Sequence, residues 1–235
     1  TLLLFKEILK NKKQYDFVCL RSGQDLLVKK GIQIFLAGNR GKNFIETQFM
    51  AKRNSATSFV YLKWPKLLRR RYSFLHPIRW IRSLIPRFYK HGICLLPKVN
   101  FLPASLELYF GSQWFCLSYG FIEYVITFLK NNPWYDHAFE NSFIPDEWFL
   151  HTLIMNSPFS DTVVNSNLTY INMGKTYKDK NHPLIITLAD IDRIEKSGSY
   201  FARKFDRNID SEVLNYYCNQ INAGKDNVRS EARNE

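Results

Sequence analysis

Two short charged clusters in this 235-residue chain have the residue types and spacing to carry chemistry. The first is Asp146-Glu147, directly after Pro145. A positioned carboxylate takes a proton from a reacting hydroxyl and contributes about 10²–10⁴-fold in rate. Proline also suits the first turn of a helix and acids favour its positive end, so such a pair by itself is more often an ordinary helix start. The second cluster is Arg203-Lys204, within Phe201-Ala202-Arg203-Lys204-Phe205-Asp206. Adjacent cations hold a diphosphate through charge-assisted hydrogen bonds, although a solvated dibasic pair has the same sequence. Asp190-Ile191-Asp192 has the spacing of a carboxylate pair that grips a divalent cation. It falls at an expected helix start, with Asp190 as the cap and Asp192 facing the dipole, and reads as structural. His76, His91, His137, His151 and His182 show no ligand spacing, so no metal is expected.

The elements that must position these residues alternate between strand and helix, an α/β pattern. Residues 1–12 read as a helix with Leu3, Leu4, Ile8 and Leu9 on one side, and 15–20 as a strand closing at Ser22-Gly23-Gln24-Asp25. A short helix over 32–36 stops near Gly38, and 43–50 reads as one strand. A long strand over 106–117 is interrupted by Gly111-Ser112, which signals a bulge or a close backbone approach to a ligand. A helix over 121–130 ends at Asn131-Asn132-Pro133, and a second begins after Pro145. Strands over 168–173 and 200–205 flank a helix over 190–196; a C-terminal helix and polar tail fill 211–235, frayed after Gly224.

No stretch reaches the roughly 18 apolar residues of a membrane span. Leu2-Leu3-Leu4-Phe5 is broken by Lys6 and Glu7 and is an amphipathic start, not a signal peptide. The chain begins at Thr1 without a methionine, which suggests that an upstream part is missing. Cys19, Cys94, Cys116 and Cys218 lie far apart in apolar settings and read as buried thiols in a reducing compartment.

The net charge of +12 is local. Between Glu46 and Glu107 there is no acidic residue and there are twelve basic ones, which leaves the rest of the chain neutral. Within 63–90 these cations alternate with Trp64, Leu67, Leu68, Tyr72, Trp80, Ile81 and other bulky groups. Stacking on nucleic acid would need fewer aliphatics, so no nucleic-acid partner is expected. A basic amphipathic element on an anionic membrane surface fits better. The competing account is an insertion over 52–98 that packs its apolar side on the domain. Pro65, Pro77 and Pro86 are expected to chop the segment into short pieces.

Four motifs occur in order: Ser22-Gly23-Gln24-Asp25, Gly111-Ser112-Gln113-Trp114-Phe115, Pro145-Asp146-Glu147, and Phe201 to Asp206. Together the chain resembles the core-2/I-branching β-1,6-N-acetylglucosaminyltransferase family, which includes the peptide O-xylosyltransferases, over roughly residues 1–210. The resemblance implies a GT-A-like α/β fold whose N-terminal nucleotide-binding strands lie upstream of this chain. It implies inverting transfer from a UDP-sugar without a metal or other cofactor. Glu147 matches the family's base, Arg203 and Lys204 its diphosphate-binding cations, and Glu46, in Phe44-Ile45-Glu46-Thr47, a glutamate that binds acceptor hydroxyls. Asp146 stands with Glu46 on the acceptor side, and Asp25, Gly111 and Ser112 on the donor side. Glu46 has the alternative of an edge-strand charge, and Asp25 that of a turn residue bonding its own backbone.

Two departures from the family matter. Xylosyltransferases carry an aspartate base after Gly-Ser, where this chain has Gln113. Met173 stands where family members stack a tryptophan on the acceptor sugar. The expectation is a bacterial-type, cytoplasmic enzyme, peripheral at the inner membrane face. It would move N-acetylglucosamine in β linkage to a saccharide or lipid-linked saccharide in surface polysaccharide synthesis. UDP-xylose transfer, or a non-catalytic membrane- or polyanion-binding module, are the alternatives. Asn167-Leu168-Thr169 is a glycosylation sequon only in a secreted protein.

Overall fold

The computed structural model describes every residue except 12, 14, 74, 100, 101, 175–182 and 224–235. His182 and the tail from Gly224 therefore lie outside the described residues. In chain order the elements are α1 (Leu2–Lys10), β1 (Phe17–Leu20), β2 (Asp25–Leu27), α2 (Ile32–Ala37), β3 (Asn43–Ile45), β4 (Gln48–Met50), α3 (Ser58–Tyr61), α4 (Lys66–Arg69), α5 (Pro77–Lys90) and β5 (Leu108–Phe110). They continue with β6 (Phe115–Ser118), α6 (Tyr119–Asn131), α7 (Pro133–Glu140), α8 (Phe149–Met155), β7 (Val163–Val164), β8 (Thr169–Ile171), α9 (Ile191–Ser197), β9 (Phe201–Arg203) and α10 (Ser211–Asn222). This is the mixed α/β architecture expected of a GT-A-like fold. Two compact units form: one from Thr1–Val18, Gly41–Gln113 and Leu117–Asn165, the other from Cys19–Arg40, Trp114–Cys116 and Ser166–Glu235.

In the first unit, β3 runs parallel to β7, with Asn43 opposite Val163. Asn43 is fully buried and stitches three segments. Its Oδ1 accepts from Ser118 N at 2.8 Å, and its Nδ2 donates to Thr162 Oγ1 at 2.8 Å. A buried amide is tolerated only with such partners. Ser118 then caps α6 through its hydroxyl, accepting from Phe121 N. On α1 the buried side chain is Phe5, while Leu3 and Leu4 are exposed.

The single strand expected over 43–50 is two. β3 is buried along its length, whereas β4 is largely exposed and pairs antiparallel with β5, Gln48 opposite Phe110. Between them Thr47 N donates to Asn165 Oδ1 at 2.8 Å, and the chain leaves one sheet for the other. The long strand expected over 106–117 likewise splits into β5 and β6, because Gly111 N leaves the ladder to donate to Glu147 O at 3.0 Å.

Of the three prolines, Pro65 and Pro77 divide the basic segment as expected, before α4 and at the start of α5, whereas Pro86 does not. Pro77 opens α5 at its first position, where a missing N–H costs nothing, and Pro86 sits inside a 14-residue helix. Ile85 on α5 closes a core with Leu62 and Trp64, which Leu68, Tyr89 and Phe143 flank. The outer face is different: Trp80, Ile81, Leu84 and Phe88 form an exposed apolar stripe at helical spacing. One side of the segment thus packs on the domain, and the other stands exposed.

In the second unit, β9 lies between β2 and β8, antiparallel to β2 and parallel to β8. The register sets Asp25 opposite Arg203. Val28, Ile186, Ile194, Ala202, Phe205, Val213 and Tyr217 form its core. Asp190 is buried and closes a capping box with Thr187 before α9, accepting also from Asn172 Nδ2. Asp190 is thus structural, but it bonds back to Thr187 and makes no side-chain cap bond to α9.

The cysteine expectation needs correction. Cys19 and Cys116 form a disulfide, their Cα atoms 4.0 Å apart, while Cys94 and Cys218 are free. The two lie 97 positions apart in sequence, so only strand pairing reveals the bond. With it goes the cysteine argument for a reducing compartment. In denaturant without reductant the chain is expected to titrate two thiols, rising to four after reduction. Four thiols before reduction would exclude the pairing.

Candidate active site

The acidic pair does not begin an α-helix. Pro145–Glu147 is a single 3-10 turn, entered through Ile144 at φ 49°, ψ 57°. A β-branched residue in the left-handed region costs of order 1–3 kcal/mol and persists only where its surroundings enforce it. Here both sides are pinned. Phe143 N donates to Phe59 O at 2.8 Å, Glu147 N to Ile144 O at 3.1 Å, and Gly111 N to Glu147 O at 3.0 Å. Trp148, fully buried against Phe110, ends the turn before α8.

This turn leaves the Glu147 side chain half-buried. Loss of solvent, and then the neighbouring Asp146 carboxylate, push its pKa up to about 7. A carboxylate so tuned takes a proton near neutral pH more readily than an ordinary one. Asp146 itself is exposed.

Gly111 has no room for a side chain: a Cβ there would run into Glu46 O and into the His151 ring. The close approach anticipated at this glycine is thus to protein groups of its own unit. His151 is buried, and its Nε2 lies 2.9 Å from Ser112 O. Burial drives its pKa down to about 4, so the ring is neutral and Nε2–H donates, while Nδ1 finds no partner. Glu46 follows β3 as an exposed residue whose carboxyl is raised by partial desolvation. Glu46, Gly111, Ser112 and Glu147 are therefore gathered by β3, β5 and α8, with His151 as the residue that sequence reasoning dismissed. Its four-residue spacing from Glu147 on the way into α8 was the available signal.

The second unit holds the cations. Asp25 has almost no exposed side chain, and its carboxylate accepts from Ser22 N at 2.8 Å and Ser22 Oγ at 2.9 Å. Arg203 Nε lies 3.5 Å from Asp25 Oδ1, an ion pair without hydrogen-bond geometry, and its guanidinium stacks 4.3 Å from the Trp114 ring centre. Asp25 thus closes its own turn and steadies Arg203. Lys204 is half-buried beside it.

Arg21, unforeseen, completes the group. It donates to Asn167 O at 3.0 Å and sits 4.0 Å from the Phe201 ring centre. Burial holds its pKa near 10 against the pull of Asp25. Asn167 of the sequon is buried, with its own Oδ1 accepting from Thr169 N, and offers no accessible amide. Met173 is exposed. No three His, Cys, Asp or Glu side chains gather to hold a metal among the described residues.

With this geometry in hand, comparison with known proteins is specific. The family model described as Core-2/I-Branching enzyme matches residues 1–195. Beta-glucuronosyltransferase GlcAT14B of Arabidopsis thaliana is 36% identical over 121 residues, covering 48% of this chain and 27% of that protein. Xylosyltransferase oxt of Drosophila pseudoobscura pseudoobscura is 28% identical over 241 residues, 91% of this chain and 24% of its own. Human Xylosyltransferase 1 is 30% identical over 152 residues, 55% of this chain and 15% of its own. The chain thus spans about a quarter or less of the length of these relatives.

Proposed function

This chain belongs to the Core-2/I-branching enzyme family, and we propose that it carries the acceptor-activating part of an inverting glycosyltransferase with Glu147 as its base. The observation that carries this reading is the Glu147 carboxyl on a pinned, strained turn with a pKa of about 7. In the reaction the acceptor hydroxyl gives its proton to Glu147 as its oxygen bonds to the anomeric carbon. The bond to UDP breaks on the opposite face and UDP leaves with the electron pair. Arg203 and Lys204 offset the charge that grows on the diphosphate, in place of a metal. Asp25 and Trp114 hold the Arg203 guanidinium in one orientation. Glu46 and Asp146 contact acceptor hydroxyls, while Gly111 and Ser112 fix the strand end that Glu147 hangs on.

N-acetylglucosamine is the donor sugar we favour, since Gln113 removes the xylosyltransferase-type aspartate. The names of the relatives favour xylose or glucuronate as the second reading. Release of UDP from UDP-N-acetylglucosamine, UDP-xylose and UDP-glucuronate, each with a saccharide panel, separates them. No release from any of the three would sink the enzyme reading and leave a non-catalytic binding module.

The outward stripe of α5 supports an anionic membrane surface as a partner, in keeping with a role in surface polysaccharide synthesis. Trp80, Ile81, Leu84 and Phe88 are exposed among cations that attract such a surface by about 1 kcal/mol per residue. Trp80→Ser with Ile81→Ser is expected to weaken binding to phosphatidylglycerol vesicles by about tenfold or more, since each buried side chain contributes roughly 1.5–3 kcal/mol. Thermal stability should hardly change, because both side chains are already exposed. Unaltered vesicle sedimentation would exclude the stripe as the contact.

A further inference from the structure

We propose that a cavity walled by Lys66, Arg69, Arg70, Arg71 and Arg82 is a binding site for the phosphate or diphosphate group of the acceptor. The cavity measures about 630 Å³ and no acidic side chain lines it. That volume lies within the roughly 300–1,000 Å³ of ordinary ligand pockets.

Two of the five cations, Arg69 and Arg82, are held by neutral groups that leave their charge intact. Arg69 Nη1 donates to Glu140 O at 2.7 Å, and its Nη2 lies 3.5 Å from Asn141 Oδ1. Arg82 Nη1 donates to Arg70 O at 3.1 Å, and its guanidinium lies 5.0 Å from the Phe143 ring centre. None of the five forms an ion pair among the described residues. Burial, and then the neighbouring Arg79, hold the Arg82 pKa below its ordinary value. Four guanidinium forks around one void suit the oxygens of a multiply charged phosphate better than a single carboxylate.

The remaining wall points to the acceptor. Phe143, Ile144 and Pro145 close the cavity, and Pro145 begins the turn that ends in Glu147. Assigning the anion to the acceptor rests on Glu147 as the base; binding of the anion does not.

Inorganic pyrophosphate is the probe, titrated calorimetrically into the full chain with and without saturating UDP. With the Arg203–Lys204 site filled by UDP, pyrophosphate is still expected to bind. Arg70→Gln with Arg71→Gln should weaken it at least tenfold; neither side chain donates a hydrogen bond among the described residues, and an unchanged melting temperature checks that the fold is kept. Lys6→Gln with Lys13→Gln, which removes the same charge from exposed positions elsewhere, should leave it unchanged. With UDP saturating, equal affinity in the cavity variant, equal loss in the control, or no pyrophosphate binding at all overturns the proposal.

N-acetylglucosamine 1-phosphate and phosphatidylglycerol vesicles then separate the two sources of the phosphate. Binding that the cavity variant loses identifies a soluble saccharide phosphate in the first case and a lipid phosphate in the second. If neither depends on Arg70 and Arg71, the acceptor assignment is wrong. The anion site also outlives a failed enzyme reading: loss of every transferase activity would leave the pyrophosphate result standing.

Discussion

Glu147→Gln is expected to lower turnover by about 10²–10⁴-fold while leaving UDP-sugar binding intact. The amide keeps the size of the side chain and cannot take the acceptor proton. The backbone bonds that hold the turn, Glu147 N to Ile144 O and Gly111 N to Glu147 O, involve no side-chain atom and survive the change. Single-turnover release of UDP measures the chemical step, and calorimetry with the donor measures binding. Turnover within twofold of the parent chain would assign the proton to another group, with Glu46 the first to examine because its carboxyl is also raised by desolvation.

The pH profile gives an independent reading of the same residue. With a pKa near 7, Glu147 is the base only when ionised, so the rate rises through neutrality and levels above it. The sign for stability is opposite. A carboxyl raised in the folded state above its unfolded value favours folding most at low pH, and that contribution is lost as pH rises from about 4.5 towards 7. Glu147→Gln should therefore flatten the acid limb of the rate and also remove a decline in melting temperature over that window. A merely structural glutamate would move the second and not the first.

Particular residues show why part of this was legible in the sequence and part was not. Pro145-Asp146-Glu147 could be recognised as a chain punctuation with acids, but its conformation depends on Phe59 and Gly111, which lie far away in sequence. Ser22 to Asp25 carries its own instructions, since the Asp25 carboxylate bonds Ser22 three residues back. The partner that Asp25 steadies, Arg203, is set by the β2–β9 register and leaves no local trace. The Cys19–Cys116 disulfide and the burial of Arg21 have the same origin. In the basic segment the helical spacing of Ile78, Ile85 and Tyr89 was present, but three prolines obscured it; Pro77 costs little at the first position of α5, whereas Pro86 is carried inside the helix, where it removes a backbone hydrogen bond. What each residue does locally was readable, and what crosses between strands was not.

Gly111→Ala is the sharpest test of how the site is supported. The added methyl would meet the Glu46 carbonyl and the His151 ring at once. The carbonyl belongs to backbone at the end of β3, and His151 is locked by burial and its bond to Ser112 O. Neither can yield as a flexible side chain would, so the strand end must shift. Overpacking of this kind costs about 1–3 kcal/mol, which in a chain of this size lowers the melting temperature by roughly 2–12 °C. Activity should fall further than stability alone requires, because the same shift breaks the bond from Gly111 N to Glu147 O and releases the strained turn. Gly23→Ala supplies the control: a Cβ there meets nothing within 4 Å, so its melting temperature and turnover should match the parent. If Gly111→Ala behaved like Gly23→Ala, the close approach of β5 to Glu46 and His151 would not be what holds Glu147 in place.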